Sequence, residues 1–452
     1  MLTVIVNAAV LVTMNDDDCE IAQGAVAIRD GVIERVGTTA ELQQPGAMAD
    51  EVVDASGCVV TPGLVNTHHH LFQSLTRAVP GAIDASLFGW LQRLYPIWAA
   101  YRPEDVFAAT QLGLAELAVS GCTMTSDHHY LFPDGVTLDD TIAAAGEIGL
   151  RFHATRGSMS VGQSAGGLPP DSVVEDEAWI LADTIRVIDR FHDPEPGAMV
   201  RVAVAPCSPF SVSRELMRDS ALLARDKGVM LHTHLAEDAD DVAFSLERFG
   251  CRPGQYAEDL GWTGEDVWHA HCVQLDAGEI DLFARARTGV AHCPCSNCRL
   301  GSGIAPVRAM RDAGVRVGFG VDGSASNDAG HLLNEARQAM LLQRVSGGAG
   351  ALGPREALRL ATRGGAEVLG RDDCGSLEPG KRADLVIWPL NEPGPSGAWD
   401  PVATLLLSPP TKARHVMVEG RWVVRDGHLA SADLSAICEA ARRSRKRLME
   451  LA

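Results

Sequence analysis

The sequence has no apolar run long enough to cross a bilayer, and no early charged segment leading into an apolar one. It is short of positive charge: 39 Lys and Arg stand against 59 Asp and Glu, for a formal net charge of −20. That balance argues against nucleic acid or an anionic membrane as a partner. The one basic run, Arg442-Arg443-Ser444-Arg445-Lys446-Arg447, reads as the solvated face of a terminal helix. A disulfide framework is not expected. The 11 cysteines are spread through 452 residues without a secretory segment, so free thiols in a cytoplasmic protein are the expectation. Cys293-Pro294-Cys295-Ser296-Asn297-Cys298 has no partner pair, and its spacing is not one that structural zinc uses. A homo-oligomer is compatible with all of this.

Hydrophobic content of 46% and charged content of 22% suit a soluble globular chain, long enough for one large domain and a smaller one. Residues 1–60 read as short strands, with Asp30-Gly31 as a hairpin turn between Ala25–Arg29 and Val32–Val36. A helix pattern occurs there only around Ala40–Gln44. From Leu64 eight short apolar strands follow, each succeeded by a helical segment. This is the α/β pattern of a closed (β/α)8 barrel, a TIM-type barrel, over residues 61–374. Residues 375–430 return to strands in the style of the N-terminus. Both termini together therefore predict a small β-sandwich domain, with a charged helix over 431–452. The excursion from Leu71 to Arg102 carries Phe72, Phe88, Trp90, Tyr95 and Trp98, and reads equally as a packed insertion or a pocket wall.

Polar residues collect at the carboxyl ends of these strands, where such barrels place their sites. Pro62-Gly63-Leu64-Val65-Asn66-Thr67-His68-His69-His70-Leu71-Phe72-Gln73 reads as a strand ending in histidines. Strand side chains alternate between faces, so His68 and His70 point one way and His69 the other. Two imidazoles on one face suit a transition metal better than a packed core. Later strand ends add His234 and Glu237, then His271, then Asp322. Three histidines and a carboxylate suit one divalent metal, Zn2+ or Fe2+, with room for water and a further His.

Over nearly its whole length the chain resembles the amidohydrolase superfamily. The matching stretches are Pro62 to His70, His232-Thr233-His234-Leu235-Ala236-Glu237, His269-Ala270-His271-Cys272, Gly320-Val321-Asp322-Gly323 and Gly380-Lys381-Arg382-Ala383-Asp384-Leu385. Within it the chain resembles the branch of cytosine deaminases and s-triazine hydrolases. The resemblance implies that His68, His70, His234 and Asp322 are metal ligands, zinc being the expected ion. It also implies that Glu237 shuttles protons and that His271, with Asp322, acts on the attacking water. Binuclear members carry a carboxylated Lys at the end of strand four. Here that end reads Ala203-Val204-Ala205-Pro206-Cys207-Ser208, which implies a single metal.

Softer stretches resemble the 8-oxoguanine deaminases: His68 to Gln73, Thr125 to Tyr130, Arg156 to Ser160, and Cys293 to Asn297. They imply a small-molecule nucleobase substrate with a 2-amino-4-oxo unit, with deamination of 8-oxoguanine to urate and of isocytosine. The alternative is an s-triazine, guanine or other nucleobase amidohydrolase. Guanine deaminases share the His-x-His-x-x-Gln spacing of His68, His70 and Gln73, but carry an Arg-Phe pair where Cys207 and Ser208 stand here. Gln73 can both donate to a ring carbonyl and accept from a ring N–H. Trp90 offers a face for a planar base. His128 and Arg156 lie near barrel ends as pocket or supporting residues. A non-catalytic scaffold is disfavoured, because no ligand and no acid is missing.

Overall fold

A computed structural model describes residues 1–43 and 49–451. Eight parallel strands close a barrel: Leu64–Asn66, Cys122–His129, Arg151–Ser158, Val200–Pro206, Met230–Leu235, Val267–His271, Gly289–His292 and Arg316–Phe319. Phe319 pairs with Asn66 and closes the ring. The strands are almost wholly buried, as expected when helices cover the outside and side chains fill the inside.

Helix boundaries follow local chemistry. Ser213 caps helix Arg214–Lys227 by accepting from Leu216 N–H at 2.9 Å. Pro103 opens helix Pro103–Val119, where its missing N–H costs nothing. Strand seven ends earlier than its apolar pattern through Asn297 suggests. Pro294 sits in the first turn of a helix, Pro294–Leu300, so the ladder stops at His292. The last barrel helix, Pro354–Arg359, widens over Leu360–Gly364 before continuing as Gly365–Val368. Gly364 and Gly365 let it lie against the strands: a Cβ there would stand 2.6 Å from Val317 O and 2.7 Å from Val65 O.

Both termini build one mixed nine-stranded sheet. Its N-terminal strands are Leu2–Val12, Glu20–Arg29, Val32–Thr38, Glu51–Asp54 and Cys58–Pro62. Leu385–Pro389 pairs antiparallel with Cys58–Pro62, and His415–Val418 follows on its other side. The Asp30-Gly31 turn forms as expected, with positive φ at both residues (+50° and +81°). Ile5, Leu11, Val26, Val60, Leu385, Ile387 and Met417 share one buried core, and the expected sandwich takes the form of a single mixed sheet. The short helix near residue 40 occupies Thr39–Leu42, with a Thr38–Glu41 capping box; Gln44 lies outside the described residues.

The sheet is clamped to the barrel. Arg151, wholly buried at the start of strand three, donates from Nε to Asp384 Oδ2 at 2.6 Å and from Nη2 to Asp384 Oδ1 at 3.0 Å. A buried bidentate pair of this kind fixes orientation more than it adds stability. The final helix, Leu434–Leu451, lies along Pro103–Val119. Its basic run is solvated as expected, except Arg447, which reaches Asp105 and Ala100 O. No described helix is long and apolar enough to cross a membrane, and all 11 cysteines are free.

Candidate active site

Strand one ends at Asn66, yet the chain continues extended. Thr67 N–H donates to Phe319 O, His69 O accepts from His128 N–H and His68 O accepts from Asp322 N–H. The alternation therefore holds past the ladder. The rings of His68 and His70 lie 4.6 Å apart, while His69 turns outward to helix Pro103–Val119 beside Gly113.

The hydrogen-bond network assigns the tautomers. His70 Nδ1 donates to His128 O at 2.7 Å, and His234 Nδ1 donates to Cys207 O at 2.6 Å. His232 Nδ1 donates to Trp268 O at 2.9 Å, so its Nε2 accepts from His68 Nδ1 at 2.8 Å. Each of His68, His70 and His234 thus turns a bare Nε2 lone pair inward. His70 Nε2 and His234 Nε2 are 3.1 Å apart, and Asp322 Oδ1 is 3.4 Å and 3.3 Å from Nε2 of His68 and His70. His68 Nε2 is buried without a hydrogen-bond partner. Lone pairs this close repel unless a cation lies between them. A tetrahedron of bonds about 2.0–2.1 Å long has edges of about 3.3 Å. The donor set therefore fits one small divalent ion. Burial lowers the pKa of His68 far below its ordinary value and that of His234 to about 3, which keeps both rings neutral as ligands must be.

Asp322 divides its oxygens. Oδ1 faces the histidines, and Oδ2 accepts from Ser296 Oγ at 2.5 Å and Ser326 Oγ at 3.1 Å. Burial works against its charge, yet its pKa lies well below the usual carboxylate range. His271 Nδ1 donates to Asn297 Oδ1 at 2.9 Å, leaving Nε2 3.6 Å from Glu237 Oε2 and 3.9 Å from Asp322 Oδ2. Burial, reinforced by the nearby Asp322 carboxylate, holds the Glu237 pKa well above the usual range. One ionised and one protonated carboxyl on either side of an imidazole is a proton-handling arrangement. Ala236, His271, Cys272 and Asp322 all have left-handed backbones, with φ from +51° to +70°. Strain of this kind concentrates where a site dictates the backbone.

Above these groups lies a small cavity. Its floor is His70, His234, Glu237, His271 and Asp322, and one wall comes from helix Leu87–Trp98 through Leu87, Trp90, Leu91 and Tyr95. The Leu71–Arg102 excursion is thus both packed insertion and pocket wall. Trp90 lines the cavity and ties its indole N–H to Ala325 O at 3.0 Å. Gln73 also lines the cavity; its Oε1 and Nε2 are both buried without a partner.

Two residues near the barrel ends stay out of the cavity. His128 stands behind His234, ring centroids 4.8 Å apart, and gives its Nε2 proton to Ala205 O. Arg156 is buried between Glu175 and Asp183 and stacks over Phe132, which makes it a structural ion pair. Other contributors went unnoticed in the sequence. Tyr130, Ser208 and Phe210 line the cavity, and His232, Ser296, Asn297 and Ser326 orient the groups beneath it. Only His232 had a visible signal: His232-Thr233-His234 repeats the His-x-His spacing of strand one.

The profile of the amidohydrolase family matches residues 59–423. The chain belongs to the amidohydrolase family. An 8-oxoguanine deaminase of Pseudomonas aeruginosa is 48% identical over 419 residues, 92% of this chain and 93% of that one. An isoxanthopterin deaminase from an unknown prokaryotic organism is 37% identical, covering 99% of this chain and 97% of its own. Among solved structures, an atrazine chlorohydrolase from Arthrobacter aurescens TC1 complexed with zinc superposes with a TM-score of 0.94 at 34% identity, covering 98% of this chain and 100% of that one. This amidohydrolase is an enzyme that hydrolyses C–N bonds.

Proposed function

We propose that this amidohydrolase is a mononuclear metal-dependent deaminase of 2-amino-4-oxo purines and pyrimidines. 8-Oxoguanine is its main substrate, converted to urate and ammonia, and isocytosine is also turned over. The observation that carries this reading is the pairing of Gln73 with Glu237 in one cavity. Gln73 offers an unpartnered buried amide, and Glu237 offers a carboxyl kept protonated by burial. An amino-oxo ring satisfies both: the amide meets the carbonyl edge and the acid meets the neighbouring ring nitrogen. 8-Oxoguanine and isoxanthopterin, which appear in the names of two relatives, are both fused rings bearing an amine and oxo groups.

His68, His70, His234 and Asp322 hold the metal, zinc in this reading. When bound, it supplies an activated water at neutral pH. Asp322, through Oδ2 and with His271 beside it, accepts the proton released as the water attacks the amine-bearing carbon. Glu237 delivers its proton to the adjacent ring nitrogen, takes the proton of the new hydroxyl and passes it to the departing amine, so that ammonia leaves; the proton held by Asp322 then returns Glu237 to its protonated form. His271, whose Nδ1 proton is committed to Asn297, turns a bare Nε2 toward the attacking water and accepts from it.

The test is the initial rate of ammonia release from 8-oxoguanine, isocytosine, guanine, cytosine and adenosine, with a chlorinated triazine alongside. 8-Oxoguanine presents an N–H where guanine presents a bare nitrogen, so a pocket group that can only accept at that edge is left unpaired with guanine. That costs about 1–3 kcal/mol, roughly a tenfold to hundredfold slower reaction. Preference for guanine rejects the reading. Activity on the chlorinated triazine alone favours a triazine hydrolase, to which the superposition on the chlorohydrolase also points.

A further inference from the structure

We infer that Glu335 is a positioning residue. It ties the helix after strand seven, Pro294–Leu300, to the loop after strand eight, and so aligns His271 with Asp322. The inference builds on the roles proposed above for those two side chains.

Glu335 lies on helix Leu332–Gly347, wholly buried and outside the cavity. Its Oε2 accepts from Cys295 N–H at 3.0 Å, and its Oε1 accepts from Asn327 Nδ2 at 2.8 Å. The two donors belong to different segments, Cys295 to helix Pro294–Leu300 and Asn327 to the loop after strand eight. Cys295 is followed by Ser296, which donates to Asp322 Oδ2, and by Asn297, which holds His271 Nδ1. Asn327 is preceded by Ser326, the other donor to Asp322 Oδ2, and gives its second amide proton to Val321 O at 2.7 Å. The side-chain bonds on Asp322 Oδ2, and the bond that fixes the His271 ring, thus come from segments pinned to this one carboxylate.

No Lys or Arg among the described residues pairs with Glu335, and burial pushes its pKa up to about 7 against the donors that meet it. A buried carboxylate is costly, and packing alone favours an apolar residue there. What a carboxylate uniquely supplies is two acceptor oxygens and no donor, which is what two converging donors require.

The experiment compares wild type with Glu335→Gln, Asn327→Asp and the double variant. Metal content, melting temperature, kcat, KM and hydrogen exchange over residues 293–300 are measured, with the best substrate of the panel above. In Glu335→Gln one amide proton must face Cys295 N–H or the Asn327 amide. One segment is then released, and kcat falls roughly tenfold to a hundredfold while KM and metal content hold. Exchange across 293–300 speeds up. Asn327→Asp sets two carboxylates face to face and also lowers kcat. In the double variant the new amide donates to the new carboxylate and its oxygen again accepts from Cys295, so kcat and protection partly recover. Unchanged kcat in Glu335→Gln overturns the inference. So does a joint loss of metal, stability and activity that the double variant does not relieve, because that is a purely structural role. If wild type turns over no nucleobase, the proposed function fails, and exchange alone decides here: unaltered protection over 293–300 overturns it.

Discussion

His68 Nδ1 lies 2.8 Å from His232 Nε2, and this contact decides which nitrogen of His68 faces the site. The chain runs from Trp268 O through His232 to His68, each imidazole donating from Nδ1, so a carbonyl on strand six sets the tautomer of a ligand beyond strand one. Replacing His232 with Phe strands the His68 Nδ1 proton and frees the ring to turn. Metal affinity should fall about tenfold to a hundredfold. Competition with a zinc chelator measures it; an unchanged affinity removes His232 from the site.

Metal stoichiometry follows from the same geometry. Purified protein should hold close to one equivalent of divalent metal per chain, and His234→Ala should lose metal and activity together. Two equivalents, both needed for turnover, contradict the single tetrahedral donor set.

In the proposed reaction Glu237 moves protons and does not bind metal. Glu237→Gln should keep metal content and melting temperature while kcat falls about a hundredfold to ten-thousandfold. Loss of metal from this variant disproves the assignment.

Gln73→Ala should lower kcat/KM by roughly tenfold to a hundredfold, corresponding to about 1–3 kcal/mol for leaving a ring carbonyl unpaired. The ratio of 8-oxoguanine to isocytosine turnover should stay constant, since both present the same unit. A wild-type kcat/KM makes Gln73 a loop residue only.

Arg156→Met leaves Glu175 without a cation and Asp183 with Arg186 alone. About 3–5 kcal/mol of stability should be lost in denaturant unfolding, while kcat/KM well below the transition stays near wild type. A selective loss of activity without destabilisation returns Arg156 to the site.

The barrel was legible because its strands are short apolar runs alternating with helical periods, and the donor set was legible because ligands sit at strand ends. Gln73 was visible through its fixed spacing from His70 on one continuous segment. What stayed hidden comes from elsewhere in the chain. Ser296 and Ser326 are ordinary hydroxyls until the fold turns both toward Asp322. Arg156 looked like a pocket residue because its partners lie on a separate segment and carry no local signal. The end of strand seven is set by Pro294, which opens the next helix and stops the ladder at His292.

The pairing of Cys58–Pro62 with Leu385–Pro389 has a consequence for how the molecule comes into being. Trp388 Nε1 donates to Thr61 Oγ1 across 327 residues, so the first strands wait for almost all of the chain before their sheet is complete. Until then the Cys58–Pro62 edge, buried in the finished protein, offers bare amides and carbonyls to any neighbouring nascent chain. Closure over so long a loop is slow. Chaperone dependence during synthesis, and clumping of chains truncated before residue 385, are therefore built into this topology.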